Sequence, residues 1–270
     1  MYEADSKKTV IKKIVIFMFI MSIITLIFMI VMSFMGSKSG IKIDPKTVEL
    51  VQLETPKDGD TIAVIETSLG EIRAVLYPEY APNAVKNFTE LAESGYYNNT
   101  YVFHAEEGAF FAAGSQYKVG LLEPGYKDEN EFVKRETHQN LWPFRGALCA
   151  MTTDFRQTGK ERMFGGGTYY NGSRFLFVNS ITLTEDMLAS MREATDGYEP
   201  LIEAFVKLGG IPNFSQDITV FGQAYEGLDI VGKLSNLDTD PTDSTSNIPY
   251  EDIMIISVTI QKFEAKNENH

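Results

Sequence analysis

Side chains suited to proton transfer, nucleophilic attack or metal binding are sparse in this 270-residue sequence and poorly spaced for such work. His104, His138 and His270 do not cluster and share no metal-ligand spacing. His104, inside a Phe-His pair, reads as structural. The single cysteine, Cys149, lies in the apolar run GALCAM, so it reads as a buried thiol, and one cysteine excludes an intrachain disulfide. The aspartate-rich LDTDPTDSTSNIPYED lacks the glycine and terminal glutamate of a calcium loop and reads as a solvated turn. GGGTYYNGS has three glycines but neither the lysine nor the following helix of a phosphate loop. No metal and no cofactor are therefore expected. What stands out is FHAEEGAFFAAGSQ, Phe103 to Gln116, crowded with aromatic and small side chains and nearly empty of reactive ones. It could be a catalytic strand, a binding surface or ordinary core, and its surroundings must decide.

Composition narrows the surroundings. With 44% hydrophobic residues and 10 prolines the chain is not of disordered type. A net charge of −13 without a visible basic face argues against nucleic acid as a partner. The run Ile14–Met35 holds 22 residues without a charge, enough for a helix to cross the roughly 30 Å hydrocarbon layer. Lys7, Lys8, Lys12 and Lys13 precede it and place the N-terminus in the cytoplasm by the positive-inside rule. A cleaved signal peptide is the competing reading, but GSKSGIKID after the run offers Gly36 and Ser37 without a good Ala-x-Ala pattern. The expectation is a single-pass protein of the cell membrane with an acidic domain on the extracytoplasmic side. Residues 1–13 form the cytoplasmic end, 14–35 the transmembrane helix, 36–60 a weakly ordered linker, 61–264 the globular domain and 265–270 a tail.

Hydrophobic periodicity supplies the elements. TIAVIETSLGEIRAVLY alternates on both sides of Ser68-Leu69-Gly70 and reads as a β-hairpin. Pro82 and Asn83 start a helix whose stripe is Val85, Phe88, Leu91 and Ala92, stopped by Gly95. Strands are expected at Thr100–His104, Ala109–Ala113, Gly146–Thr152, Arg174–Val178, Ile218–Ala224 and Asp252–Phe263. A helix over Thr184–Leu208 breaks near Gly197 and Pro200, and a short one runs from Glu226 to Leu234. Many short strands with few helices predict an all-β barrel or sandwich with helical caps.

In this order the pieces resemble the cyclophilin-type peptidyl-prolyl isomerase family over about Thr61 to Phe263. GEIRAVLYPEYAPNAVKNFTELAESGYYNNTYVFH is similar to the family's first hairpin, first helix and Phe-His strand. GYKDENEF resembles its acidic segment, and GALCAM, NGSRFLFV and LGGIPNFSQDITVFGQAYEGLDIV resemble its later strands. The resemblance implies a closed antiparallel eight-stranded barrel capped by helices, here preceded by the transmembrane helix. Insertions stand at about Phe155–Tyr170 and Thr182–Leu208, and Met187, Leu188 and Met191 of the second read as core.

Rotation about a prolyl bond must overcome a barrier of about 18–20 kcal/mol because the twisting amide loses resonance. A catalyst needs an apolar cup for the ring and a donor or cation near the imide. Carried over by the resemblance, the cup falls on Phe110, Phe111, Met151, Leu176, Phe214 and Ile218, all apolar here. The polar half departs from the family: Ala105 stands at the catalytic Arg position, Ala113 and Arg174 at the two supporting Gln positions, and Thr152 at an Asn position. Arg174 is the one candidate for a relocated charge; the plainer expectation pairs it with Glu106 or Glu107. The expected partners are proline-containing peptides or unfolded exported proteins, with the membrane held through the N-terminal helix and no nucleic acid. The function expected is an isomerase assisting exported proteins, weak or inactive for want of the Arg; a non-catalytic chaperone or scaffold module that binds proline peptides is the alternative.

Overall fold

The computed structural model describes residues 43–121, 132–240 and 247–265. The segment Ile14–Met35 lies outside the described residues, and among the described residues no helix is long and apolar enough to cross a membrane.

Nine strands form one sheet: β1 (Thr61–Thr67), β2 (Gly70–Leu76), β3 (Thr100–Glu106), β4 (Phe110–Ser115), β5 (Val133–Lys134), β6 (Ala147–Arg156), β7 (Thr168–Val178), β8 (Thr219–Glu226) and β9 (Met254–Lys262). The order β4-β3-β9-β1-β2-β8-β6-β7 returns to β4 through a β4–β7 pairing, which closes an antiparallel eight-stranded barrel; the short β5 pairs outside it with β7. Closure removes the free edges of an open sheet. The β1–β2 hairpin turns at Ser68-Leu69, where Thr67 Oγ1 donates to the Gly70 carbonyl at 2.7 Å.

Helix α1 (Pro82–Glu93) covers one end of the barrel. Its Phe88 ring sits 5.1 Å from Tyr97, 5.6 Å from Phe175 and 5.1 Å from Phe221, so the apolar stripe legible in the sequence plugs the barrel core. Two further helices, α2 (Gly159–Phe164) and α3 (Glu185–Ala194), lie in the insertions, followed by α4 (Glu199–Leu208) and then α5 (Leu228–Ser235). α5 buries Ile230, Val231 and Leu234 against the barrel. It begins at Gly227, where φ is +81° and a side chain would collide with the Glu71 carbonyl, so only glycine fits.

Gln157–Gly167 form a compact unit of their own among the described residues. There α2 opens with a capping box in which Thr158 Oγ1 accepts from the Glu161 N–H and the Glu161 carboxylate accepts from the Thr158 N–H.

The second insertion is two helices, divided at the break expected near Gly197 and Pro200. Thr184 caps α3 by accepting the Met187 N–H at 3.3 Å, and Pro200 stands in the first turn of α4, where its missing N–H costs nothing. A satellite core of Trp142, Phe144, Leu201, Ala204 and Phe205 forms beneath α4, with the Phe144 and Phe205 rings 4.6 Å apart. The core expectation for α3 holds only in part: none of its residues is fully buried, Met191 packs half-buried against the satellite core, and Met187 and Leu188 remain half-exposed. The linker expectation fails too over its described part. Val48 and Gln52 of residues 43–60 are buried, and Gln52 Oε1 accepts the Trp142 N–H at 2.6 Å.

Candidate functional site

The elements that carry the candidate cup are β4, β6, β7 and the 3₁₀ turn Pro212–Phe214 ahead of β8. Strand side chains alternate between faces, so the neighbours Phe110 and Phe111 must diverge. Phe110 is half-exposed, with His104 stacked on it at 5.3 Å and 17° and Phe214 meeting it edge-on at 5.7 Å. Phe111 is wholly buried and stacks on Phe177 at 5.6 Å, within the same aromatic cluster as Phe175 and Phe88. Leu176 lies opposite Ala112 on one side and Cys149 on the other, and is 4% exposed. Met151, Phe214 and Ile218 are half-buried and pack on the main core. The structure thus brings Phe110 and Phe214 into contact and places Phe111 in the barrel interior.

Phe214 is fixed by its backbone. Its N–H donates to the Ile211 carbonyl at 3.0 Å, and its carbonyl accepts the Asp217 N–H at 3.1 Å. Between them Gln216 takes φ +63°, a left-handed conformation that favours glycine, and this sharp return sets Ile218 beside β8.

The polar positions are occupied differently from the expectation. Ala105 is 2% exposed and Ala113 wholly buried. Arg174 Nη1 donates to the Gly120 carbonyl at 2.8 Å, its Nε is buried without a hydrogen-bond partner, and burial pulls its pKa down. Glu106 instead faces His104, with Oε2 at 3.5 Å from His104 Nε2, and accepts from Asn247 Nδ2 at 2.6 Å. The polar ring standing against Phe110 is that of His104, a residue the sequence placed among structural histidines. The Phe-His pair was the available signal, but strand phase decides which of the two faces outward. Cys149 is wholly buried and burial pushes its thiol pKa upward, which removes it as a nucleophile. Among the described residues no group of His, Cys, Asp and Glu could hold a metal ion.

One titratable group near the turn is perturbed. Burial holds His138 below the ordinary imidazole range. Its Nδ1 accepts the Asn140 N–H at 3.2 Å, and its ring lies 4.7 Å from Tyr80. Only an imidazole unprotonated at Nδ1 can accept, so the fold favours the neutral ring. As pH falls through about 6.5 the unfolded chain binds the proton first. The contribution is therefore fully present above that pH and lost as pH drops toward the folded value. Denaturant titrations from about pH 7.5 to about pH 5.5 are expected to show a flatter decline for His138→Gln than for the parent; parallel profiles would assign the slope to carboxylates.

Comparison with known proteins bears directly on this arrangement. Residues 62–260 match the family described as cyclophilin type peptidyl-prolyl cis-trans isomerase/CLD. A Staphylococcus saprophyticus protein named "Putative peptidyl-prolyl cis-trans isomerase" is 32% identical over 215 residues, which cover 77% of this chain and 96% of that one. A Staphylococcus aureus (strain COL) protein of the same name is 28% identical over 208 residues, 76% of this chain and 94% of that one. Among solved structures, a Cryptosporidium parvum cyclophilin type peptidyl-prolyl cis-trans isomerase superposes with a TM-score of 0.53 at 20% identity, covering 76% of this chain and 99% of that one. Its structure in the presence of the dipeptide ala-pro gives 0.52 at 21% identity, over 74% and 98%. The structures establish the fold, and the family match with the staphylococcal relatives establishes the lineage: this chain belongs to the cyclophilin-type peptidyl-prolyl cis-trans isomerase family.

Proposed function

We propose that the chain is a membrane-anchored cyclophilin-type domain that binds prolyl segments of exported proteins and isomerises them slowly. The anchor is the uncharged run Ile14–Met35, with the lysines before it on the cytoplasmic side and the domain outside. The observation that carries the ligand class is the Phe110–Phe214 contact at 5.7 Å beside Leu176, an apolar seat of the kind a proline ring fills. The ala-pro dipeptide present with the Cryptosporidium parvum relative supports the same class.

The slow rate follows from the missing donor. Ala105 cannot donate a hydrogen bond to the twisted imide, and loss of one oriented donor typically costs about 100- to 1000-fold. Arg174 is held by the Gly120 carbonyl, so its role in this reading is to tie β7 to the loop that follows β4. The non-catalytic alternative is favoured by one observation, the burial of both Ala105 and Ala113 where the family places its donors.

A protease-coupled assay with a chromogenic Ala-Ala-Pro-Phe anilide on the full chain in lipid nanodiscs tests the proposal. The expected kcat/KM is about 100- to 1000-fold below that of a relative retaining the Arg, and Arg174→Ala is expected to change it by less than about twofold. A drop of about tenfold or more in that variant would make Arg174 the relocated charge. Turnover at the uncatalysed rate, with proline peptides still bound, would establish the binding module instead.

A further inference from the structure

The cavity beside the proline cup is lined by features that the isomerase reading does not use. It encloses about 490 Å³ between α3, the satellite core and the loop that carries Phe214. We infer that it is a second polypeptide subsite, which takes a proline-free apolar segment of the same client and holds one of its peptide groups between Trp142 and Gln216.

Two buried polar atoms carry the inference. Trp142 Nε1 and Gln216 Oε1 both belong to residues lining this cavity, and both are buried without a hydrogen-bond partner. Trp142 is 2% exposed, so its N–H has been taken out of water with no bond in return. Gln216 Nε2 faces the His138 carbonyl at 3.4 Å, which fixes the amide so that its oxygen is the unpaired end. One donor and one acceptor are the complement of a single peptide group: its carbonyl accepts from the indole and its N–H donates to the Gln216 oxygen. Gln216 also keeps the left-handed φ of +63°, a conformation that persists where the surroundings enforce it.

The walls fit an apolar chain of variable sequence. Met187 and Met191 of α3 line the cavity with Leu201 and Phe205 opposite, and methionine adapts to differently shaped partners. α3 buries none of its residues fully and only its Met191 packs against the satellite core, so moving it aside to admit a chain to the indole uncovers little packed surface. The turn Pro212–Phe214 joins the two sites, with Phe214 in the cup and Pro212 in the cavity wall. Ile43 lines the cavity too. That the segment belongs to the same client rests on the proposed function.

Trp142 is the sole tryptophan of the chain, so its emission reports occupancy directly. The full chain in lipid nanodiscs is titrated with the proline-free peptide acetyl-Ser-Leu-Val-Leu-Ser-amide and with its ester analogue, in which the central N–H is replaced by oxygen. A saturable emission shift is expected, with the ester binding about tenfold more weakly; Gln216→Leu is expected to erase the difference between the two ligands. Met191→Asp, on the half-exposed helix face, is expected to weaken the peptide at least about tenfold while leaving affinity for an Ala-Pro peptide unchanged. Absence of a saturable shift, or equal affinity for amide and ester in the parent, overturns the proposal. So does a shift produced by phosphatidylglycerol vesicles alone or by protein concentration alone, which would give the cavity to acyl chains or to a second copy. Should Gln216→Leu fail to fold by circular dichroism, Met191→Asp decides alone. Binding of the proline-free peptide with none of the Ala-Pro peptide would sink the cup and leave the subsite standing; the reverse result would do the opposite.

Discussion

Phe111→Ala is expected to lower the unfolding free energy by about 3–5 kcal/mol, whereas its neighbour Phe110→Ala is expected to cost about 1 kcal/mol and to weaken proline-peptide binding about tenfold. Phe111 has no exposed surface, stacks on Phe177 and lies across the β4–β7 seam that closes the barrel. Truncating it opens a cavity at the closure, where the strands cannot collapse without breaking their register. For a domain of this size the shift in Tm is roughly 10 °C or more. Among the described residues Phe110 touches the aromatic rings of His104 and Phe214, and it already meets solvent, so little burial is lost from the folded state. What it loses is one wall of the ring seat. Thermal melts and peptide titrations on both variants check the pair. A large stability loss in Phe110→Ala with unchanged peptide affinity would exchange the two assignments.

That division was legible in part. The alternation of the first hairpin and the stripe Val85, Phe88, Leu91, Ala92 are local signals, and the structure realises both. Strand period alone separates Phe110 from Phe111, because consecutive strand residues face opposite sides; carrying cup residues over by position hid a phase that the sequence already contained. Other features depend on partners far along the chain. The Glu136 carboxylate accepts from the Asn83 side chain at 2.6 Å and from the Ala84 N–H at 2.9 Å, capping α1 from 53 and 52 residues away. No local pattern announces that pairing. α3 shows the converse: its methionines keep helical spacing, but spacing says which face would turn inward and not whether anything covers it. The partner of Arg174 was hidden for the same reason, since its strand was identified but the Gly120 carbonyl lies in a loop whose path only the folded chain defines.

The segment before the barrel gives the other large effect. Gln52→Ala is expected to destabilise the domain by about 3 kcal/mol, although the sequence around it reads as a tether. Its side chain is 6% exposed and makes three bonds: Oε1 accepts the Trp142 N–H at 2.6 Å, while Nε2 donates to the Trp142 carbonyl and to Gln223 Oε1, each at 2.8 Å. Gln223 in turn donates to the Arg145 carbonyl at 2.8 Å, so one amide links the pre-barrel segment, the Trp142 loop and β8. Each buried group left without a partner costs about 1–3 kcal/mol. The adjoining cavity of about 590 Å³, lined by Gln52, Gln223 and Arg145, lets water replace part of that loss and keeps the total below the sum. Because the two glutamines share a bond, Gln52→Ala and Gln223→Ala together should cost less than their separate effects added. Trypsin supplies a local readout, since Lys46 and Lys57 flank the anchor point: cleavage there should accelerate in Gln52→Ala before global unfolding does. A variant within about 0.5 kcal/mol of the parent, with unchanged cleavage, would show that these residues hang free of the barrel and that Trp142 is held by the satellite core alone.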